Sequence, residues 1–267
     1  MTFPHYFQLF GHRLHPHPVM ELIGYTGGFQ LYLRTRRKHL ADSIPFEQNM
    51  WLIVGCIFGA LIGSKLLAWV ESAPDYWQHR HELAAWVGGK TIVGGLLGGW
   101  GGVEIAKKFL GITRSTGDRF VYPLIFGQCV GRVGCFLTGL DDHTHGNFTR
   151  LPWGVNFGDG ARHPTQLYEI VFLILLGLAI YVLERRSLPR PAGARFRIYL
   201  MSYLLFRFCV EFIKPTFRPC LGLSAIQLAS LVGATVCFMQ LRFAHRIGCH
   251  TRSEMSIVPS SGTPGEG

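Results

Sequence analysis

Three short stretches of this chain set charged and hydroxyl side chains at spacings that bring them onto shared faces. Tyr203, Arg207 and Glu211 follow one another at i, i+4 and i+8, so they form one polar stripe on an otherwise apolar helix. Lys214 comes one turn later. A second arginine sits between glycines in Gly131-Arg132-Val133-Gly134-Cys135-Phe136. The third stretch, His163-Pro164-Thr165-Gln166-Leu167-Tyr168-Glu169, reads as the start of a helix, because the N–H that proline lacks is not needed there. It puts His163 at the helix mouth, with Gln166 and Glu169 three residues apart on one face. A histidine fixed by proline at the membrane edge, beside a buried arginine, is a better candidate for a functional role than a lone loop histidine. A structural Arg–Glu pair alone would explain Arg207 and Glu211; the tyrosine and lysine that extend the stripe point to a polar cleft.

The surroundings of these charges are apolar. Met50–Val70 runs 21 residues with one charge, Lys65, and Ile170–Leu183 runs 14 residues without a charged or amide side chain. About 20 residues of helix cross a ~30 Å hydrocarbon core. Spans are predicted at Val19–Leu33, Met50–Val70, Ala84–Ile105, Phe120–Leu140, Gln166–Leu183, Arg197–Ile213 and Ser224–Leu241. The first is short and carries Glu21 and Gln30; the third holds eight glycines between Gly88 and Gly102. In water such glycine content would argue for a loop, but in lipid small residues let helices approach closely. A charge at the bilayer centre costs on the order of 3 kcal/mol, so most of the in-span charges Lys65, Lys90, Arg132, Arg207, Glu21, Glu104, Glu169 and Glu211 are expected to face the bundle interior. Lys65 and Glu104 read as structural or snorkelling charges.

The connections support this segmentation. Sixteen of the 26 Lys and Arg residues fall after spans one, three, five and seven, and six fall in the alternate connections and the N-terminal segment. By the positive-inside bias the N-terminus is expected outside and the C-terminus in the cytoplasm. The predicted fold is therefore all-α: a polytopic membrane protein of about seven transmembrane helices. An external segment (1–18) precedes a single membrane domain (19–250) and a disordered tail (251–267), rich in Ser, Pro and Gly.

The net charge of +10 is spread between hydrophobic runs, without the basic and aromatic strip that nucleic acid would need. Seven cysteines lack a framework spacing and most lie inside spans, which argues against a disulfide scaffold. No cleavable signal peptide is expected, since Met1–Pro18 has histidines and an arginine rather than a basic head and long apolar run. Asp141, Asp142, His143 and His145 are too weak a pattern to predict a metal site, and no cofactor is expected.

The three motifs, in this order on a seven-span layout, resemble the bacterial prolipoprotein diacylglyceryl transferase family. Its members carry Gly-Arg-x-Gly-Asn-Phe, His-Pro-Ser-Gln-Leu-Tyr-Glu and Tyr-x-x-x-Arg-x-x-x-Glu-Phe. The first is matched at Gly131, Arg132, Gly134 and Phe136, the second almost throughout His163–Glu169, and the third at Tyr203, Arg207, Glu211 and Phe212. Gln227 and the pairs Gly88-Gly89 and Gly94-Gly95 are also similar to family features. The resemblance implies a multi-pass transferase of the bacterial cytoplasmic membrane, moving diacylglyceryl from phosphatidylglycerol to the lipobox cysteine of a lipoprotein precursor. It implies catalytic roles for His163, Tyr203, Arg207, Glu211 and Glu169, and substrate binding by Arg132, Gly131, Gly134, Gln166, Gly94 and Gly95. The chain departs from the family at Cys135 (Asn in the family), at Thr138-Gly139-Leu140 (Asn-Gly-Glu), and at Val93 (His of a His-Gly-Gly segment). These departures leave open a related transferase with another acceptor, or a non-catalytic phospholipid-binding protein.

Overall fold

The computed structural model describes residues 3–9, 11–37, 44–82, 86, 88–186, 191–218 and 222–255, with side chains through residue 243 in the last stretch. Its helices are α1 (Pro16–Arg37), α2 (Phe46–Glu71), α3 (Ala73–Gln78), α4 (Ile92–Leu110), α5 (Val121–Thr138), α6 (Thr165–Arg185), α7 (Ala194–Val210) and α8 (Ala225–Met255). The seven long ones fall on the seven expected segments. Four stretches are long and apolar enough to cross a membrane: Phe46–Glu71, Gly117–Asp142, Thr165–Arg185 and Ala225–Phe243. The other three have local reasons to differ. α1 carries Glu21, Gln30 and Arg34, α4 is diluted by glycine, and α7 has only 17 residues.

Two boundaries differ from expectation. In the third segment the long helix begins at Ile92, after Gly89 turns the chain with φ 61°; Thr91 caps it by accepting from Gly94 N–H, and Trp86 before the turn is also helical. Of its expected beginning, Ala84, Ala85 and Val87 lie outside the described residues. The last helix continues past the apolar run to Met255, so residues 251–255 belong to it; 256–267 lie outside the described residues. The connections add two antiparallel hairpins that the sequence pattern does not suggest, β1 (Phe7–Leu9) with β2 (His12–Leu14) and β3 (Val155–Asn156) with β4 (Ala161–Arg162).

Glycine governs how the helices pair. Gly55, Gly59 and Gly63 of α2 meet Gly102, Gly98 and Gly94 of α4 in antiparallel order. A β-carbon on any of the six would run into the facing backbone carbonyl, so only glycine permits this approach. α1 packs on α5 in the same manner at Gly24 against Gly127 and Gly28 against Pro123. On the other side of α5, α6, α7 and α8 enclose a core in which Leu173, Tyr199, Leu200, Leu204 and Cys237 have no exposed surface. Large apolar groups such as Phe58, Leu175, Leu178 and Val232 point outward instead. Apolar outside and charged inside is the arrangement a lipid solvent demands.

The connections gather at two ends. At one, His5 N–H donates to Leu137, Asn147 N–H to Ile213, and Ile226 N–H to the Glu71 carboxylate. At the other, the Asp118 carboxylate accepts from Gly193 and Phe196 N–H, and Arg197 donates to Gln240. Cys56, Cys129, Cys135, Cys209 and Cys237 are free thiols; Cys220 and the side chain of Cys249 lie outside the described residues.

Candidate functional site

The i, i+4 stripe of α7 meets α5 and α6 in a buried knot of charge. Glu169 stands at its centre. Its Oε1 accepts from the Tyr203 hydroxyl at 2.8 Å and lies 2.9 Å from Arg132 Nε; its Oε2 accepts from Arg207 at 3.2 Å. Arg207 also donates to Glu211 at 2.8 Å. The Arg132 N–H is not aligned on the carboxylate, so that contact is coulombic rather than a hydrogen bond. All five residues are at most 5% exposed. Two arginines and two glutamates balance, which is what makes burial of four charges tolerable. Arg207 Nε is left without a hydrogen-bond partner.

A cavity of about 2230 Å³ lies between the α1–α5 and α2–α4 pairs. Arg132, Arg207, Glu211 and Lys214 line it, whereas Glu169 and Tyr203 stand behind the arginines and do not. Much of the remaining lining is apolar, including Leu52, Ile53, Ile57, Leu96 and Trp100. Gly131 lines the cavity beside Arg132, and a β-carbon there would meet nothing within 4 Å, so the glycine widens the lumen rather than tightening a contact. The chamber thus has a charged end at the knot, an apolar body, and a second charged end lined by Lys107, Asp118 and Arg197.

The other expected site residues divide. Gln166 is fully buried and donates to the Thr144 hydroxyl at 3.0 Å, bracing the loop beneath the knot. Gly134 admits α1: a β-carbon there would press on Met20 and His17. Gly94 is committed to the α2 contact, while Gly95 faces the cavity. His163 stands apart from both knot and cavity lining. Its Nδ1 faces the Tyr168 hydroxyl at 3.2 Å, and its backbone pairs with Gly146 and Asn147. Lys65 donates to the Gly88 and Gly89 carbonyls, and Glu104 pairs with Lys107, so both serve locally. Gln227 caps α8 and donates to the Phe208 carbonyl. Val93 is buried in the apolar core.

Two features escape the motifs. Lys214, just past the stripe, is 8% exposed, and burial first, then the nearby Arg207 charge, push its ammonium down to about 7. The other is a cluster at the cavity mouth. His17 Nδ1 lies 2.9 Å from Asp142 and 3.7 Å from Cys135 Sγ, and Glu21 is held by Lys90 at 2.8 Å. Asp141, His143 and His145 do not join it: among the described residues, only His17, Cys135 and Asp142 gather as potential metal ligands. His145 is turned toward Phe157, and burial and the Arg162 charge hold its imidazole below the ordinary range.

Comparison with known proteins gives a consistent result. Residues 4–243 match the family model described as prolipoprotein diacylglyceryl transferase. A protein of Glaesserella parasuis serovar 5 (strain SH0165) is 30% identical over 256 residues, covering 88% of this chain and 91% of its own. One from Nitratidesulfovibrio vulgaris (strain DP4) is 37% identical over 211 residues, covering 73% and 75%. One from Geobacter sulfurreducens (strain ATCC 51573 / DSM 12127 / PCA) is 31% identical over 241 residues, covering 80% and 84%. All three are named phosphatidylglycerol–prolipoprotein diacylglyceryl transferase.

Proposed function

The chain belongs to the prolipoprotein diacylglyceryl transferase family, and from that premise we propose that it transfers diacylglyceryl from phosphatidylglycerol to the cysteine thiol of a lipoprotein precursor. The observation that carries this reading is the pair Arg132 and Arg207, braced from behind by Glu169 and turned toward a cavity with an apolar body. Acyl chains suit the body; the phosphate suits the arginine end.

In the reaction the acceptor thiol loses its proton, its sulfur forms a bond to the terminal glycerol carbon, and that carbon's bond to the phosphate oxygen breaks. Glycerol phosphate leaves. The arginines would stabilise charge growing on the departing phosphate, which in a dry site is the largest available contribution. Glu169 and Tyr203 act as positioning residues, since they touch the arginines and not the lumen. Glu211 faces the lumen and shares Arg207, so an arriving phosphate would compete with it for that fork.

The thiol proton needs an acceptor. The family histidine position is Val93, in the apolar core, and His163 is off the cavity. Lys214 lines the cavity beside Arg207, and an amine titrating near 7 is partly free base at neutral pH. We assign it that role.

We further propose seven membrane spans in the bacterial inner membrane, with the N-terminus outside and the C-terminus in the cytoplasm. The end bearing Lys107, Arg114, Arg119 and Arg197 would be cytoplasmic. The cavity mouth at Asp142 and Lys214 then opens toward the outer face, where a precursor's lipobox emerges. In cells depleted of their own transferase, this chain is expected to restore diacylglyceryl-modified lipoproteins. Accumulation of unmodified precursor despite its presence in the membrane would contradict the proposal.

A further inference from the structure

The mouth cluster brings together three different metal-ligating atoms from distant parts of the chain. His17 comes from the first turn of α1, Cys135 from the last turn of α5, and Asp142 from the turn that follows α5. Gly134 lets α1 approach closely enough for His17 to reach Cys135. The imidazole Nδ1, thiol Sγ and one carboxylate oxygen lie within 4.8 Å of one another. All three residues line the cavity.

We propose that His17, Cys135 and Asp142 bind a thiophilic divalent cation of the zinc class, with one coordination position open to the cavity. Imidazole, thiolate and carboxylate are all ligands of such ions, and three protein ligands with an open fourth position is the pattern of an accessible site. Ligands at ordinary zinc distances in a tetrahedron stand roughly 3.3–3.7 Å apart. The Nδ1–Sγ separation of 3.7 Å fits that figure, and the Nδ1–Oδ1 separation of 2.9 Å needs to widen by a few tenths of an ångström.

The groups behind the ligands strengthen the case. A metal on Nδ1 requires the proton on Nε2, and Nε2 faces the Glu21 carboxylate at 3.9 Å. Glu21 is itself fixed by Lys90 and by the Tyr25 hydroxyl at 2.7 Å. The other oxygen of Asp142 accepts from the Thr144 hydroxyl at 2.7 Å, and Thr144 accepts from buried Gln166. The hydroxyl behind the aspartate is the kind of outer contact that orients a ligand, and the carboxylate behind the histidine supplies a counter-charge to its Nε2 side. Cys135 Sγ also accepts from Arg132 Nη1 at 3.7 Å, so the cluster touches the arginine knot.

This inference does not depend on transferase activity, and its test reads the metal directly. The detergent-purified full chain, stripped with chelator, is titrated with Co²⁺ and with Zn²⁺. We expect about one equivalent per chain, a thiolate-to-cobalt absorption band, and displacement of that band by zinc. Cys135→Ser should abolish the band, Asp142→Asn should weaken binding by at least tenfold, and Cys129→Ser should change neither. The unsubstituted protein serves as the primary test, so misfolding of a variant does not excuse it. No band, a band that survives Cys135→Ser, or one lost equally in Cys129→Ser would overturn the proposal.

Discussion

Two clusters of charge face one cavity and are built on opposite principles. The arginine knot joins Arg132, Glu169, Tyr203, Arg207 and Glu211, all buried, with each arginine against a carboxylate. The mouth cluster joins His17, Cys135 and Asp142, partly open, with donors of three chemical kinds. In the knot, removing one member strands charges in a dry interior. At the mouth, water can replace a missing partner. A knot of that kind is suited to holding fixed charge against a developing anion, and a mouth of this kind to exchanging ligands.

Substitutions should separate the two regions. The largest effect is expected from Glu169→Gln, which leaves Arg132 and Arg207 without their shared counter-charge. Loss of a buried partner costs about 3–5 kcal/mol, so a detergent-solubilised thermal melt should fall sharply and activity with it. Next comes Arg207→Lys, which keeps the charge but loses the fork. The fold should survive, and kcat should drop by about 10²–10³, the cost of one preorganised donor. Equal losses of melting temperature in Arg207→Lys and Glu169→Gln would show that the knot is only structural.

Lys214→Met probes the link between the regions and is expected to lower kcat by about 10²-fold, the lower range for a general base. The working form is the free amine, present above a pKa of about 7 and lost as pH falls through it. The rate should therefore decline below pH ~7 in the unsubstituted chain. In Lys214→Met that acidic limb should disappear; its persistence would reassign the base. The smallest effect is expected from His163→Gln. With its ring against Tyr168 and away from the cavity, it should change kcat/KM by about twofold, the scale of an ordinary surface substitution. A loss of about 100-fold, the scale of a general acid–base group, would bring His163 back into the chemistry.

The knot is legible in the sequence because its key spacing is local. Tyr203, Arg207 and Glu211 share a helix face by period alone, and Pro164 marks the start of α6 that turns Gln166 and Glu169 inward. Four of the helical segments are legible in the same local way, as runs long and apolar enough to cross a membrane. The mouth cluster is not, since His17 and Cys135 are 118 positions apart and meet only because Gly134 admits α1. His17 and His163 show the limit in both directions. By sequence His17 belongs to an external N-terminal segment, yet it lines the cavity. His163 is catalytic by motif, yet it faces a tyrosine. Helix periodicity assigns a face, but tertiary packing decides what that face meets. The glycine pairing of α2 and α4 lies between these cases: the composition is visible, and the partner of each glycine is not.

The most direct test measures the reaction itself. The purified chain is incubated with phosphatidylglycerol carrying labelled acyl chains and with a lipobox peptide, beside its Arg207→Gln variant. We expect diacylglyceryl thioether and glycerol phosphate in equal amounts from the unsubstituted chain, with both falling by about 100-fold or more in the variant. Retention of phosphatidylglycerol without any thioether, while an active relative turns over in parallel, would contradict the assignment.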